Sequence, residues 1–273
     1  RCRMRGEGQG SGVPLATPPS PYAMQVYESC LGRLREAYRP AQADVHAARA
    51  PYRACPIGAH VDHQLGCVTG MPLDRGITLA FAPNASRRLR LSSLDFPGEV
   101  CFPVDEVPPK VEGEWGNYAR GAAFALLGLH PLRVGLDGVV AGDLPVGGLS
   151  SSAAVGVACL MGMATVNGLT LSPDDLIALD RRIENAYLGL KNGILDQSVI
   201  VAGRKGMLLR VDCLENRRDL LQAPETMPPF EVLVAHSGMT RALVSTGYNW
   251  RVEECEEAAR RLLAASGEPA CEA

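Results

Sequence analysis

The chain has no Cys-x-x-Cys pair, no cationic patch, no internal repeat and no apolar run long enough to cross a bilayer. Each absence removes a class of function. Nine cysteines spread from Cys2 to Cys271 without paired spacing form neither a disulfide framework nor a zinc ribbon. They read as free thiols, each a small buried hydrophobe, in a reducing compartment, so a cytoplasmic protein is expected. The formal net charge is −3, and basic residues come in scattered pairs such as Arg87-Arg88 and Arg260-Arg261. That distribution argues against nucleic acid or an anionic membrane as partner. The longest uncharged apolar run, Ala153–Val166, is about 14 residues, too short to span and better read as a buried helix. Its glycine-rich approach carries no Gly-Lys-Ser/Thr, so it is not a P-loop.

What remains is an ordinary globular composition, 47% apolar and 21% charged in 273 residues, enough for a sizeable core. Residues 1–21, rich in Gly, Pro and Ser, read as a disordered leader. Its arginines would suit a transit peptide, but the amphipathic pattern is missing. Apolar spacing predicts a helix over 22–38. Short strand-like runs follow from 45 to 94, including 76–82 and 88–94, then a helix over 115–129 and a strand over 132–140. The "SPDD" at 172–175 is a strong helix start, and that helix is expected to reach about Leu188. A short helix or turn holds "NGILDQS" (192–198). Strands are expected at 206–212 and 230–237, and a closing helix at 247–265. Strands and helices mix without steady alternation, which predicts an α+β fold.

Three stretches carry candidate chemistry. In "LPVGGLSSSAA" (144–154), Gly147 and Gly148 remove side chains so that backbone N–H groups can approach an anion, and the serines open a helix. The bland alternative is a loop before an ordinary capped helix. Asp196 lies in an otherwise apolar segment, where a lone acid is usually a cap or an ion-pair partner. Glu184, twelve residues earlier, defaults to a helix surface. In "APYRACPIGAHVDHQLG" (50–66), Arg53, His60, Asp62 and His63 surround the inert Ala59. Arg53 and Asp62 alone are turn residues. The two histidines with Asp62 could bind a metal, but no further ligand lies nearby in the sequence. Together, an anion cradle, a buried carboxylate, an arginine and a second carboxylate are the parts needed for phosphoryl transfer to a hydroxyl.

These motifs, in this order, resemble the galactokinase branch of the GHMP sugar-kinase superfamily, and within it the plant galacturonokinases, over roughly residues 45–265. "PYRACPIGAHVDHQLG" is similar to the sugar-binding segment, usually Pro-Gly-Arg-Val-Asn-Leu-Ile-Gly-Glu-His-Thr-Asp-Tyr. "LPVGGLSSSAA" is similar to the ATP-binding motif, one residue shorter in its glycine run than in most galactokinases. "NGILDQS" is similar to the segment with the catalytic aspartate, and "HSGMTRALVSTGYNWRVEECEEA" to the stretch after it. The resemblance implies Asp196 as base, with Arg53 beside it favouring its charged form and the transfer. It implies Glu184 and Ser152 as Mg²⁺ ligands. Ala59, His60, Asp62, Gly193 and Tyr248 fall on the sugar site. Trp115, Pro145, Gly147, Gly148, Leu149, Ser150, Ser151 and Ser152 fall on the ATP site. The implied fold is a ribosomal-S5-domain-2-like N-terminal domain (22–205), followed by part of a ferredoxin-like C-terminal domain (206–273).

Two departures shape the expectation. Ala59 stands where galactokinases have a glutamate that holds the sugar's C6 hydroxyl, which points to D-galacturonate as substrate. The family's C-terminal Gly-rich loop does not occur before Ala273, so a truncated chain is expected, poorly soluble and inactive when made alone. The reading is therefore an ATP- and Mg²⁺-dependent kinase of a small sugar acid, with no nucleic-acid or membrane partner. The alternatives are a galactokinase or other sugar 1-kinase, and an inactive sugar sensor with a kinase fold. Oligomeric state is not legible.

Overall fold

A computed structural model describes residues 20–145, 147–236, 238 and 247–267. Residues 1–19 of the expected leader lie outside the described residues, and Pro21 already belongs to a helix. α1 spans Pro21–Tyr38, with Pro21 in its first turn and the Ser20 hydroxyl accepting from the Ala23 N–H. The strands are β1 (His46–Ala54), β2 (Cys67–Asn84), β3 (Arg88–Ser93), β4 (Glu99–Pro103), β5 (Gly135–Gly142), β6 (Met207–Asp212) and β7 (Arg217–Gln222). The remaining helices are α2 (Asn117–Leu127), α3 (Ser151–Val166), α4 (Pro173–Arg182), α5 (Leu195–Ala202) and α6 (Tyr248–Ser266).

The strands form one sheet in the order β4-β3-β5-β2-β6-β7, with β1 also paired to β2. Among the described strands only β3 and β5 run parallel, so the sheet is mixed and the α+β expectation agrees with it. β2 is long because it serves two neighbourhoods. Its first residues, Cys67–Gly70, pair with β6, while Ile77–Asn84 pair with β5. The main core lies between one sheet face and α2–α5, with Tyr52, Leu79, Phe81, Leu126, Leu160 and Met163 fully covered. α3 is apolar on nearly all sides and sits in the middle of this layer, as such a helix must. α1 covers the other face through Cys30 and Leu34 against Ala80, Val139 and Ala141.

The structure corrects several expectations. Residues 230–236 form no strand, and their apolar side chains are exposed, Leu233 to 93%. The alternation reads as a strand, yet no described segment offers it a ladder; residue 237 lies outside the described residues. The α4 helix stops at Arg182 and continues as a single π turn, Ile183–Tyr187, closed by Leu188 N–H to the Ile183 carbonyl at 3.0 Å. The turn packs closely on α2, where a Cβ at Gly121 would meet Ile183 Cγ2 at 2.6 Å. The seven described cysteines are unpaired, but Cys67 and Cys101 are exposed rather than buried.

Candidate active site

The pivot is Arg53, near the end of β1. The register of β1 against β2 shifts between Pro51 and Arg53, and the Arg53 side chain turns to α5. Its Nε donates to Asp196 Oδ1 at 2.6 Å. Asp196 lies in the first turn of α5, where the free N–H groups favour an acid. Of the two bland readings of Asp196, the ion-pair partner holds, whereas the cap does not, since Ile194 is the N-cap and no side chain caps α5. Among the described residues its Oδ2 has no hydrogen bond, which leaves one oxygen of an oriented carboxylate free to accept a proton. The Arg53 main chain makes a second link, its N–H donating to the Leu149 carbonyl of the glycine loop at 3.3 Å.

That loop is built for backbone exposure. Gly147 (φ 146°) and Gly148 (φ 71°) hold left-handed conformations, and nothing lies within 4 Å of where a Cβ would be added at either. Ser150 follows at φ 58° and opens α3 without a side-chain cap. The first N–H groups of a 16-residue helix, Ser151 and Ser152 among them, therefore carry no cap from Ser150. Leu149 and Pro145 flank this open face. An anionic phosphate suits it by charge and by donor geometry.

Behind the loop is a buried polar cluster. Glu184, on the π turn, is almost fully buried. Its Oε2 accepts from Asn192 Nδ2 and from Gln197 Nε2 at 2.6 Å, whereas its Oε1 has no partner. Burial, then the Asp196 charge, pushes Glu184 up to about 7, against the Asn192, Ser152 and Gln197 dipoles. The Ser152 hydroxyl lies close enough to Glu184 to favour its charged form. An orphaned carboxylate oxygen with a hydroxyl close by fits a hard divalent cation such as Mg²⁺.

Among the residues expected on the sugar site, Asp62 Oδ2 accepts from the Leu195 N–H at 3.1 Å, next to Asp196 in sequence. Gly193 is required by proximity, since a Cβ there would come 2.5 Å from Asp62 Cγ. Tyr248, the first residue of α6, places its ring 6.0 Å from both His60 and His63. Burial, then Asp62, Asp196 and Glu184 in that order, pushes its hydroxyl above the ordinary tyrosine range. Ala59 is exposed beside His60. Arg53, Asp62, Glu184, Gly193, Asp196 and Tyr248 are thus brought together around the loop. Trp115 is not joined to them by a hydrogen bond among the described residues; its indole N–H donates to the Pro97 carbonyl at 3.2 Å. Among the described residues no group of three His, Cys, Asp or Glu side chains is placed to hold a metal, and His60 and His63 flank Tyr248 instead.

Sequence reasoning missed Asp180. It is fully buried on α4, one turn before Glu184, and neither oxygen has a hydrogen-bond partner. Burial, then Glu184 and Asp196, holds it well above the ordinary aspartate value. Its signal was available, because Asp180 falls in the apolar stripe between Leu176 and Ile183. Gln197 and Asn192 were missed as well, each recognisable only through Glu184.

A stability prediction follows for the metal-free protein. Glu184 binds its proton more tightly folded than unfolded, so stability falls as pH rises from about 4.5 to about 7. The loss from Glu184 alone is on the order of 3 kcal/mol at about 1.4 kcal/mol per pH unit. Mg²⁺ should therefore raise Tm more at pH 8 than at pH 5, read by thermal denaturation with and without EDTA. An equal Mg²⁺ effect at both values counts against Glu184 as ligand.

Residues 117–204 match the family described as GHMP kinases N terminal domain. The chain is 47% identical over 244 residues to the galacturonokinase of Arabidopsis thaliana, covering 82% of this chain and 58% of that protein. It is 39% identical over 223 residues to a galactokinase of Chloroflexus aggregans, covering 81% and 56%. The structure of Lactococcus lactis galactokinase complexed with galactose matches at TM-score 0.75 and 26% identity, over 86% of this chain and 61% of that one. Methanococcus jannaschii mevalonate kinase shares the fold at TM-score 0.56 and 18% identity, over 67% and 57%. The chain spans less than two thirds of the length of these relatives. Among the described residues no helix is long and apolar enough to cross a membrane.

Proposed function

From the premise that residues 117–204 are a GHMP kinase N-terminal domain, we propose that the whole protein is an ATP-dependent sugar 1-kinase that phosphorylates D-galacturonate. The observation that carries this reading is the Arg53–Asp196 pair, 2.6 Å apart, tied through the Arg53 main chain to the glycine loop. Asp196 takes the proton of the anomeric hydroxyl. The freed oxygen attacks the γ-phosphorus of ATP, the bond to the β-phosphate oxygen breaks, and ADP leaves. The glycine loop and the start of α3 hold the phosphates, and Arg53 keeps Asp196 aimed and offsets charge near the transfer. Glu184 Oε1 and the Ser152 hydroxyl would hold Mg²⁺, which when bound offsets the charge of the migrating phosphoryl group. Asp62 and Tyr248 position the sugar.

The choice of the acid over the neutral sugar rests on Ala59 and on the likeness to a plant galacturonokinase. The second reading, a galactokinase, is favoured by the Chloroflexus and Lactococcus relatives. Incubation of the whole protein with ATP, Mg²⁺ and each sugar, followed by ³¹P NMR, separates them. A sugar 1-phosphate formed faster from galacturonate supports the first reading. Formation from neither sugar removes both.

A further inference from the structure

The sugar site is rich in negative charge. Asp62, Glu184 and Asp196 all act on the Tyr248 hydroxyl. The nearby guanidinium of Arg53 is already committed to Asp196, and Lys191 on the loop before α5 is paired with Glu253 at 3.1 Å. A substrate bearing a carboxylate would meet repulsion there unless some group donates to it. Beside Tyr248, among the described residues, His60 and His63 make no hydrogen bond and no ion pair.

Their placement is fixed by a tight turn. The Val61 N–H donates to the Gly58 carbonyl at 3.3 Å, and the Gly66 N–H to the Val61 carbonyl at 2.9 Å. Gly58 at φ 91° and His60 at φ 67° reverse the chain, and residues 62–64 form a short 3-10 turn. The result brings two imidazoles three residues apart against one aromatic ring, His60 tilted by 59° and His63 edge-on at 77°. Ala59 adds no carboxylate beside them. His63 is half-buried while His60 is exposed, so His63 is the better desolvated donor of the two.

We propose that His63, assisted by His60 across the Tyr248 ring, is the specificity-determining group that receives the carboxylate of an acidic sugar. This rests on the kinase reading above and supplies the anion-binding donor which Ala59 cannot provide. Ala59 withholds a repulsion; His63 provides the attraction. A charge-assisted hydrogen bond of this kind is equivalent to about tenfold to a hundredfold in affinity.

The test uses the whole protein, wild type and the variants His63→Gln and His63→Tyr, with kcat and KM measured for galacturonate and for galactose. The quantity read is the ratio of kcat/KM for the acid to that for the neutral sugar, which a general loss of folded enzyme leaves alone. Both variants are expected to lower the ratio about tenfold or more, chiefly through KM for the acid. Calorimetric binding of galacturonate without nucleotide should weaken in parallel. A ratio within about twofold of wild type in both variants, with wild type still active on galacturonate, overturns the role of His63 and leaves the kinase reading standing. A wild type that phosphorylates neither sugar overturns both.

Discussion

Asp196→Asn should lower turnover of the whole protein by about two to four decades while leaving nucleotide affinity nearly unchanged. Asparagine keeps the shape and one oxygen, so Arg53 still has an acceptor at the 2.6 Å position. What is lost is the second carboxylate oxygen as a proton acceptor. The glycine loop contacts Arg53 through its main chain and is untouched by the change. Steady-state kinetics with the sugar acid, set beside nucleotide titration of the same preparation, gives the answer. Turnover within about threefold of wild type would remove Asp196 from the chemistry.

Ala59→Glu is expected to have an effect of similar size, confined to one substrate. On the proposed function, position 59 is expected to face C6 of the sugar. A glutamate there accepts a hydrogen bond from a hydroxymethyl group but repels a carboxylate. At about 4 Å and an effective dielectric near 20 the repulsion is on the order of 4 kcal/mol, about three decades in affinity. Ala59 is exposed in the Gly58–Gly66 turn, so the longer side chain has room and the fold should tolerate it. Relative kcat/KM for galacturonate should collapse while galactose is used as well or better. An Ala59→Glu enzyme that keeps the wild-type preference, or a wild type that prefers galactose, contradicts the proposal.

Much of the framework was legible because it is written in local signals. Ser20-Pro21 and the Ser172–Asp175 capping box mark two helix starts, and the apolar run after Ser150 marks the buried helix. β4 and β7 were not legible. β4 has five residues, and β7, "RRDLLQ", is an edge strand whose outer positions are charged or exposed. Conversely, the alternation of "FEVLVAHS" promised a strand, and the described part shows none, because a strand is made by its partner as much as by its own pattern.

The site divides in the same way. The glycine loop could be read from spacing, since its chemistry is backbone exposure. The Arg53–Asp196 pair could not be read from spacing, because its members are 143 positions apart; it was expected through the family resemblance alone. Asp180 escaped notice because acids are counted by default as surface, and its place within an apolar stripe went unweighed.

Arg53 joins both halves of the proposed site, with its main chain on the glycine loop and its side chain on the Asp196 carboxylate. If nucleotide binding shifts Leu149, one hydrogen bond carries that shift to the residue paired with Asp196. On the proposed function, the two ligands are then expected to be thermodynamically linked. Whatever factor the nucleotide imposes on sugar affinity, the sugar must impose on the nucleotide. Titrations run in both orders should return the same factor, different from one, and a factor of one would show that the shared arginine carries no message between donor and acceptor.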